Sequence, residues 1–97
     1  MKTIHKFQVN QNISGFTFAV NLPKDAVILH AHTQILVDKC EHIFIWAEVD
    51  TNKEFVQRKL ECYPTGAELY ETKKRYIDSV HFDVGQYVFH IYEVLEW

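Results

Sequence analysis

Six histidines stand among the 97 residues of the chain, and two pairs of them fall at spacings where imidazoles can cooperate. His30 and His32 lie two apart in an apolar run, so an extended chain points both to one face. If the last hairpin closes at Val84-Gly85, His81 faces Val88 and His90 faces Ser79. His81 and His90 are then diagonal neighbours on one face. Zinc needs three or four donors converging at about 2.0–2.1 Å. No spacing here brings the two pairs to one point, so no metal and no cofactor is expected.

A second cluster is basic and aromatic. Arg58, Lys59, Lys73, Lys74 and Arg75 are interleaved with Tyr63, Tyr70 and Tyr76. Rings that stack a base and cations that meet phosphate are what a pocket for an anionic nucleotide requires. Arg58, Lys59, Tyr63 and Arg75 are the expected anchors. The plain alternative is a solvated run in which Lys73, Lys74 and Arg75 pair with Glu68 and Glu71.

The remaining chemistry is thin. The three glycines form no phosphate-binding loop, and neither a Gly-x-Ser-x-Gly nor a His-Glu-x-x-His motif occurs. Glu48, Asp50 and Glu54 sit around a turn and read as solvated rather than as a glycosidase pair. Cys62 beside a histidine would make a nucleophile–base pair only by chance. A binder is therefore expected rather than an enzyme. The enzymatic alternative is a small nucleotide phosphodiesterase using His30, His32, His81 or His90. Cys40 and Cys62 lack a Cys-x-x-Cys spacing, and Met1-Lys2-Thr3-Ile4-His5-Lys6 carries no apolar run behind its charge. Free thiols, no export signal and no membrane span are expected.

The elements that must hold these residues are strands. Apolar residues make up 47% of the chain and charged ones 24%, a globular balance, and its length suits one domain, 1–97. Period-two alternation predicts strands over Thr3–Val9, Phe16–Val20, Ala26–Val37, Ile43–Val49, Phe55–Cys62, Tyr76–Phe82 and Tyr87–Leu95. Pro23 and Pro64 should end the runs that precede them. The stretch 67–74, rich in Ala, Glu and Leu, predicts one short helix or a loop. An all-β fold follows, a small antiparallel sandwich or barrel of about seven strands.

Two strands are apolar on both sides: Ile43-Phe44-Ile45-Trp46 and Tyr87-Val88-Phe89-His90-Ile91-Tyr92. Such a strand needs cover on its second face. That favours a homo-oligomer whose interface uses Phe44, Trp46, Phe89, Tyr92 and Trp97. Ten Lys and Arg against thirteen Asp and Glu leave a charge of −3, so nucleic acid is not an expected partner.

Four segments, Lys2-Thr3-Ile4-His5-Lys6-Phe7, Leu22-Pro23-Lys24-Asp25-Ala26-Val27-Ile28-Leu29, Ile45-Trp46-Ala47-Glu48-Val49-Asp50 and Val88-Phe89-His90-Ile91-Tyr92-Glu93-Val94, occur in this order in small bacteriophage proteins. The chain resembles that uncharacterised family over most of its length. It departs at Tyr63-Pro64-Thr65-Gly66, where the family usually has Gly-Thr-Gly, and from Ala67 to Arg75. The family brings no catalytic residues. The resemblance implies a phage protein acting early in the host cytoplasm, directed at host processes that include antiviral defence. Two roles are compatible with it. One is an oligomer that sequesters a nucleotide-derived immune signal; the other is an inhibitor that binds a host or defence protein.

Overall fold

The computed structural model describes residues 1–82 and 86–95. Eight strands form two antiparallel sheets packed face to face, with no helix among the described residues. They are β1 (Lys2–Val9), β2 (Gln11–Ser14), β3 (Thr17–Pro23), β4 (Val27–Ile35), β5 (Glu41–Asp50), β6 (Phe55–Pro64), β7 (Lys74–Phe82) and β8 (Tyr87–Val94). The smaller sheet runs β1-β5-β4 and the larger β2-β3-β6-β8-β7. The arrangement is a sandwich and does not close into a barrel. Its shortest extent is 20 Å, enough for two sheets about 10 Å apart and the loops over them, but not for a third sheet.

The alternation read from the sequence becomes the core. Leu22, Ile45, Ala47, Leu60, Val80 and Ile91 are wholly buried between the sheets. Ala31 and Ala47 keep the facing surfaces close where larger neighbours meet them. The predicted register of the last hairpin holds, with His81 opposite Val88 and Ser79 opposite His90. Of its turn, residues 83–85 lie outside the described residues.

Two local expectations change. The polar stretch after β1 is itself a strand: β2 pairs with β3 through a turn at Gly15, whose φ is +52°. All four of its residues are exposed, so no alternation marked it. Both prolines, by contrast, end their runs as expected, as the last residues of β3 and β6.

The second change concerns the short helix near 67–74, where the loop alternative holds. Residues 67–73 form a strap across the outer face of the larger sheet, and Lys74 already belongs to β7. One or two helical turns are too short to be stable alone. The strap instead gives its groups to β6: the Tyr70 N–H donates to the Tyr63 hydroxyl at 3.0 Å, and the Thr72 hydroxyl donates to Glu61 at 2.7 Å.

At one edge the sheets are joined by side chains. β4 and β7 each carry a bulge, at Leu29 and at Ile77, and these positions have no register partner. A bulge re-aims its neighbours. Here Asp78 of β7 reaches β4 and accepts the Ala31 N–H at 3.1 Å, while the Thr33 hydroxyl donates to the His81 carbonyl at 2.8 Å.

Candidate functional site

The basic and aromatic residues are organised by two buried carboxylates. On the inner face of the larger sheet, Glu93 is 4% exposed and lies opposite Leu60 and Arg75. The Arg58 Nε donates to Glu93 Oε2 at 2.7 Å, its Nη2 donates to the same oxygen, and its Nη1 donates to the Ala26 carbonyl at 2.9 Å. Arg75 donates to Glu93 Oε1 at 3.0 Å from the sheet edge. A carboxylate this deep is tolerated because both oxygens are paired with cations.

Across the same sheet, Glu61 is 1% exposed. It accepts the Tyr63 hydroxyl at 2.5 Å and the Thr72 hydroxyl, with the Lys74 ammonium 3.4 Å away. Burial first, and then the hydrogen bond to Glu61, push the Tyr63 phenol far above its ordinary value. Phe16, Tyr70 and Tyr92 pack around that ring at 5.3–5.9 Å between centroids.

The four expected anchors therefore divide between two faces. Arg58 and Arg75 meet on the inner face, whereas Lys59 and Tyr63 alternate onto the outer one. Glu61 and Glu93 were not singled out in the sequence. The available signal was a carboxylate inside each of two apolar runs, Leu60-Glu61-Cys62-Tyr63 and Tyr92-Glu93-Val94, where an unpaired charge would be costly.

The histidines also separate. His90 is wired into the outer face of the larger sheet, with Nδ1 2.8 Å from the Ser79 hydroxyl and Nε2 2.8 Å from the Thr65 hydroxyl. His30 and His32 lie exposed on the outer face of the smaller sheet, their rings 6.0 Å apart. The His30 Nδ1 is 2.7 Å from Asp78 Oδ2, and its ring lies 5.3 Å from that of Trp46. Burial alone would raise the Asp78 carboxyl. The N–H groups of Ala31 and Ser79, with His30, outweigh it and hold Asp78 below its usual range.

That outer face is built on β5. His42, Phe44, Trp46 and Glu48 alternate outward, flanked by Ile4, Lys6 and Gln8 of β1 and by Val27, His30, His32 and Gln34 of β4. The Lys6 ammonium sits 4.8 Å above the Phe44 ring, and its stem helps to shield that ring. Ile4, Val27 and the bulged Leu29 are about half exposed, and none of the described elements lies over them.

The expected interface residues do not share one surface. Phe44 and Trp46 are on this face, Phe89 packs against the core, and Tyr92 is on the opposite outer face between Tyr63 and Tyr76. Trp97 lies outside the described residues.

Between the sheets, one end of the sandwich leaves a cavity of about 510 Å³ lined by Val9, Phe18, Ile43, Cys62, Phe82 and Phe89, among others. Its size suits a small molecule, and Glu41, His42 and Tyr87 supply the polar groups of an otherwise apolar lining. Burial pushes the Cys62 thiol up to about 12, so it holds little thiolate at neutral pH. Both cysteines are free thiols.

A family model described as a domain of unknown function (DUF7352) matches residues 1–96. The chain belongs to that family. The match spans all eight strands, so both carboxylate networks and the β5 face lie within the family's own unit. No curated protein and no solved structure matches the chain.

Proposed function

We propose that this protein works by binding another protein through the outer face of the smaller sheet. The observation that carries this reading is the difference between the two outer faces. The strap of residues 67–73 lies over the outer face of the larger sheet, while the partly exposed Trp46 and the half-exposed Ile4, Val27 and Leu29 have no such cover, Phe44 beside them being buried beneath Lys6. An apolar stripe rimmed by polar groups is the usual form of a docking surface.

Size argues for a larger partner over a second copy using the same face. Three strands of about eight residues present roughly 400 Å², against about 800 Å² per partner in a standard interface. A larger protein can also engage the sheet edges, as β-strand addition does. The resemblance to phage proteins supplies the context, in which the partner is a host or defence protein in the host cytoplasm.

Capture of an anionic nucleotide signal is the second reading, and the convergence of Arg58 and Arg75 favours it. Its cost is that both guanidinium groups already neutralise Glu93.

The test is affinity capture from host lysate with Trp46→Ser and Tyr87→Ser compared with the unaltered chain, each checked for folding by circular dichroism. A stoichiometric partner lost with Trp46→Ser and kept with Tyr87→Ser supports the proposal. A partner retained by both variants, or heat evolved with a nucleotide panel in the absence of any protein partner, sinks it.

A further inference from the structure

The bulges at Leu29 and Ile77 bring Asp78 against His30, and this contact has a chemical consequence for the His30–His32 pair. A carboxylate on Nδ1 fixes the tautomer with the proton on that nitrogen, leaving the Nε2 lone pair outward. It also makes the ring a better donor, as the outer-shell carboxylates of metal-bound histidines do. Trp46 packs on the same ring and limits its rotation. His32, two residues on, presents a second imidazole on the same face at a centroid distance of 6.0 Å. Two imidazoles sharing one ion through 2.0–2.1 Å bonds have centroids roughly 4.5–5.2 Å apart. A small rotation of the exposed His32 closes that gap.

We propose that His30 and His32 form a two-imidazole chelate for a borderline divalent transition-metal ion, with Asp78 as the outer-shell group that orients His30. Among the described residues, no three His, Cys, Asp or Glu side chains are grouped to hold a metal ion, so the remaining coordination positions are open to solvent or to an incoming donor. Imidazole nitrogen at a site of this kind takes copper(II) ahead of zinc. Lys6 is the cation of β1 on this face; its ammonium reaches across β5, lies over Phe44 opposite His32 and donates to the side-chain oxygen of Gln34 in β4 at 2.9 Å, so a bound ion shares the face with this charge. The site lies on the proposed docking face but stands on its own geometry.

The test is isothermal titration of the full chain with copper(II) chloride and then zinc chloride, in a non-chelating buffer. A Cys40→Ser background removes the exposed thiol. Saturable binding, tighter for copper, should weaken at least about tenfold in His32→Gln and about 10–100-fold in Asp78→Asn. It should be unchanged in His81→Gln, an exposed histidine on the other sheet. Electron paramagnetic resonance of the copper-loaded protein should show nitrogen donors that His32→Gln reduces. His32 is exposed, so its replacement leaves the fold intact and decides the matter even where Asp78→Asn loosens the sheet junction. Absence of copper binding, or equal affinity in wild type and His32→Gln, overturns the proposal. Protein-partner capture is a separate readout, so either proposal can fail without the other.

Discussion

Arg58 and Arg75 bond the same carboxylate and differ in burial, which separates their energetic roles. The Arg58 side chain is 20% exposed and also satisfies the Ala26 carbonyl; the Arg75 side chain is 47% exposed. Removing one partner of a buried ion pair costs about 3–5 kcal/mol, because the other charge is left without compensation. A half-exposed cation such as Arg75 contributes less, because water screens its charge. Arg58→Ala should therefore lower unfolding stability by about 3 kcal/mol or more. Arg75→Ala leaves Glu93 Oε1 without its donor while Arg58 still meets the charge, and should cost less, about 1–2 kcal/mol. Urea unfolding of both variants checks this, and equal losses would contradict the assignment. Tyr63→Phe tests the second carboxylate. It leaves Glu61 and the Tyr70 N–H each short of a partner, an expected loss of about 1–3 kcal/mol by the same measurement.

The β4–β7 junction and the strap make testable claims about elements. Asp78 has a folded pKa held below its ordinary 3.8. Its contribution is thus present above the unfolded value and is lost as the pH falls through the lowered folded one. The junction should weaken below about pH 4, and Asp78→Asn should flatten that part of the stability-versus-pH curve. An unchanged acid limb in Asp78→Asn would place the acid sensitivity elsewhere. The strap meets the β2–β3 turn at Gly15, where a Cβ would come within 2.5 Å of the Tyr70 hydroxyl and φ is +52°. That hydroxyl also accepts the Phe16 N–H at 3.2 Å. Gly15→Ala should cost about 1–2 kcal/mol from backbone conformation alone. Tyr70→Phe, which keeps the ring and loses the bond, should cost less. Thermal melts of the two variants rank them, and a Tyr70→Phe melt unchanged from the wild type would mean that the strap's hydroxyl contributes nothing to the turn.

For the whole molecule, the two thiols offer a probe of opening. Cys40 is exposed in the β4–β5 turn, while Cys62 lies in the core with its thiol pushed up by burial. A disulfide reagent should modify one thiol quickly and the other only on the timescale of unfolding, and sub-denaturing urea should speed the second alone. Two fast thiols would mean that the sandwich opens at its cavity end. The all-β class, seven of the eight strands and the His81–Val88 register were legible in the sequence, because alternation along a strand reports directly on which face is buried. β2 was not, since four exposed residues leave no pattern, and neither was the strap, whose residues answer to Glu61 rather than to their own propensity. Arg58, Lys59, Tyr63 and Arg75 were legible as a cluster of types. Alternation along β6 already set Arg58 against Lys59 and Tyr63; only the pairing of β8 with β6 and with β7 decided that Glu93 holds the two arginines. The sequence determined that His30 and His32 share a face, because two residues is one strand period. Tertiary structure alone decided that Asp78 stands behind His30, because that contact depends on two bulges in strands distant along the chain meeting across an edge.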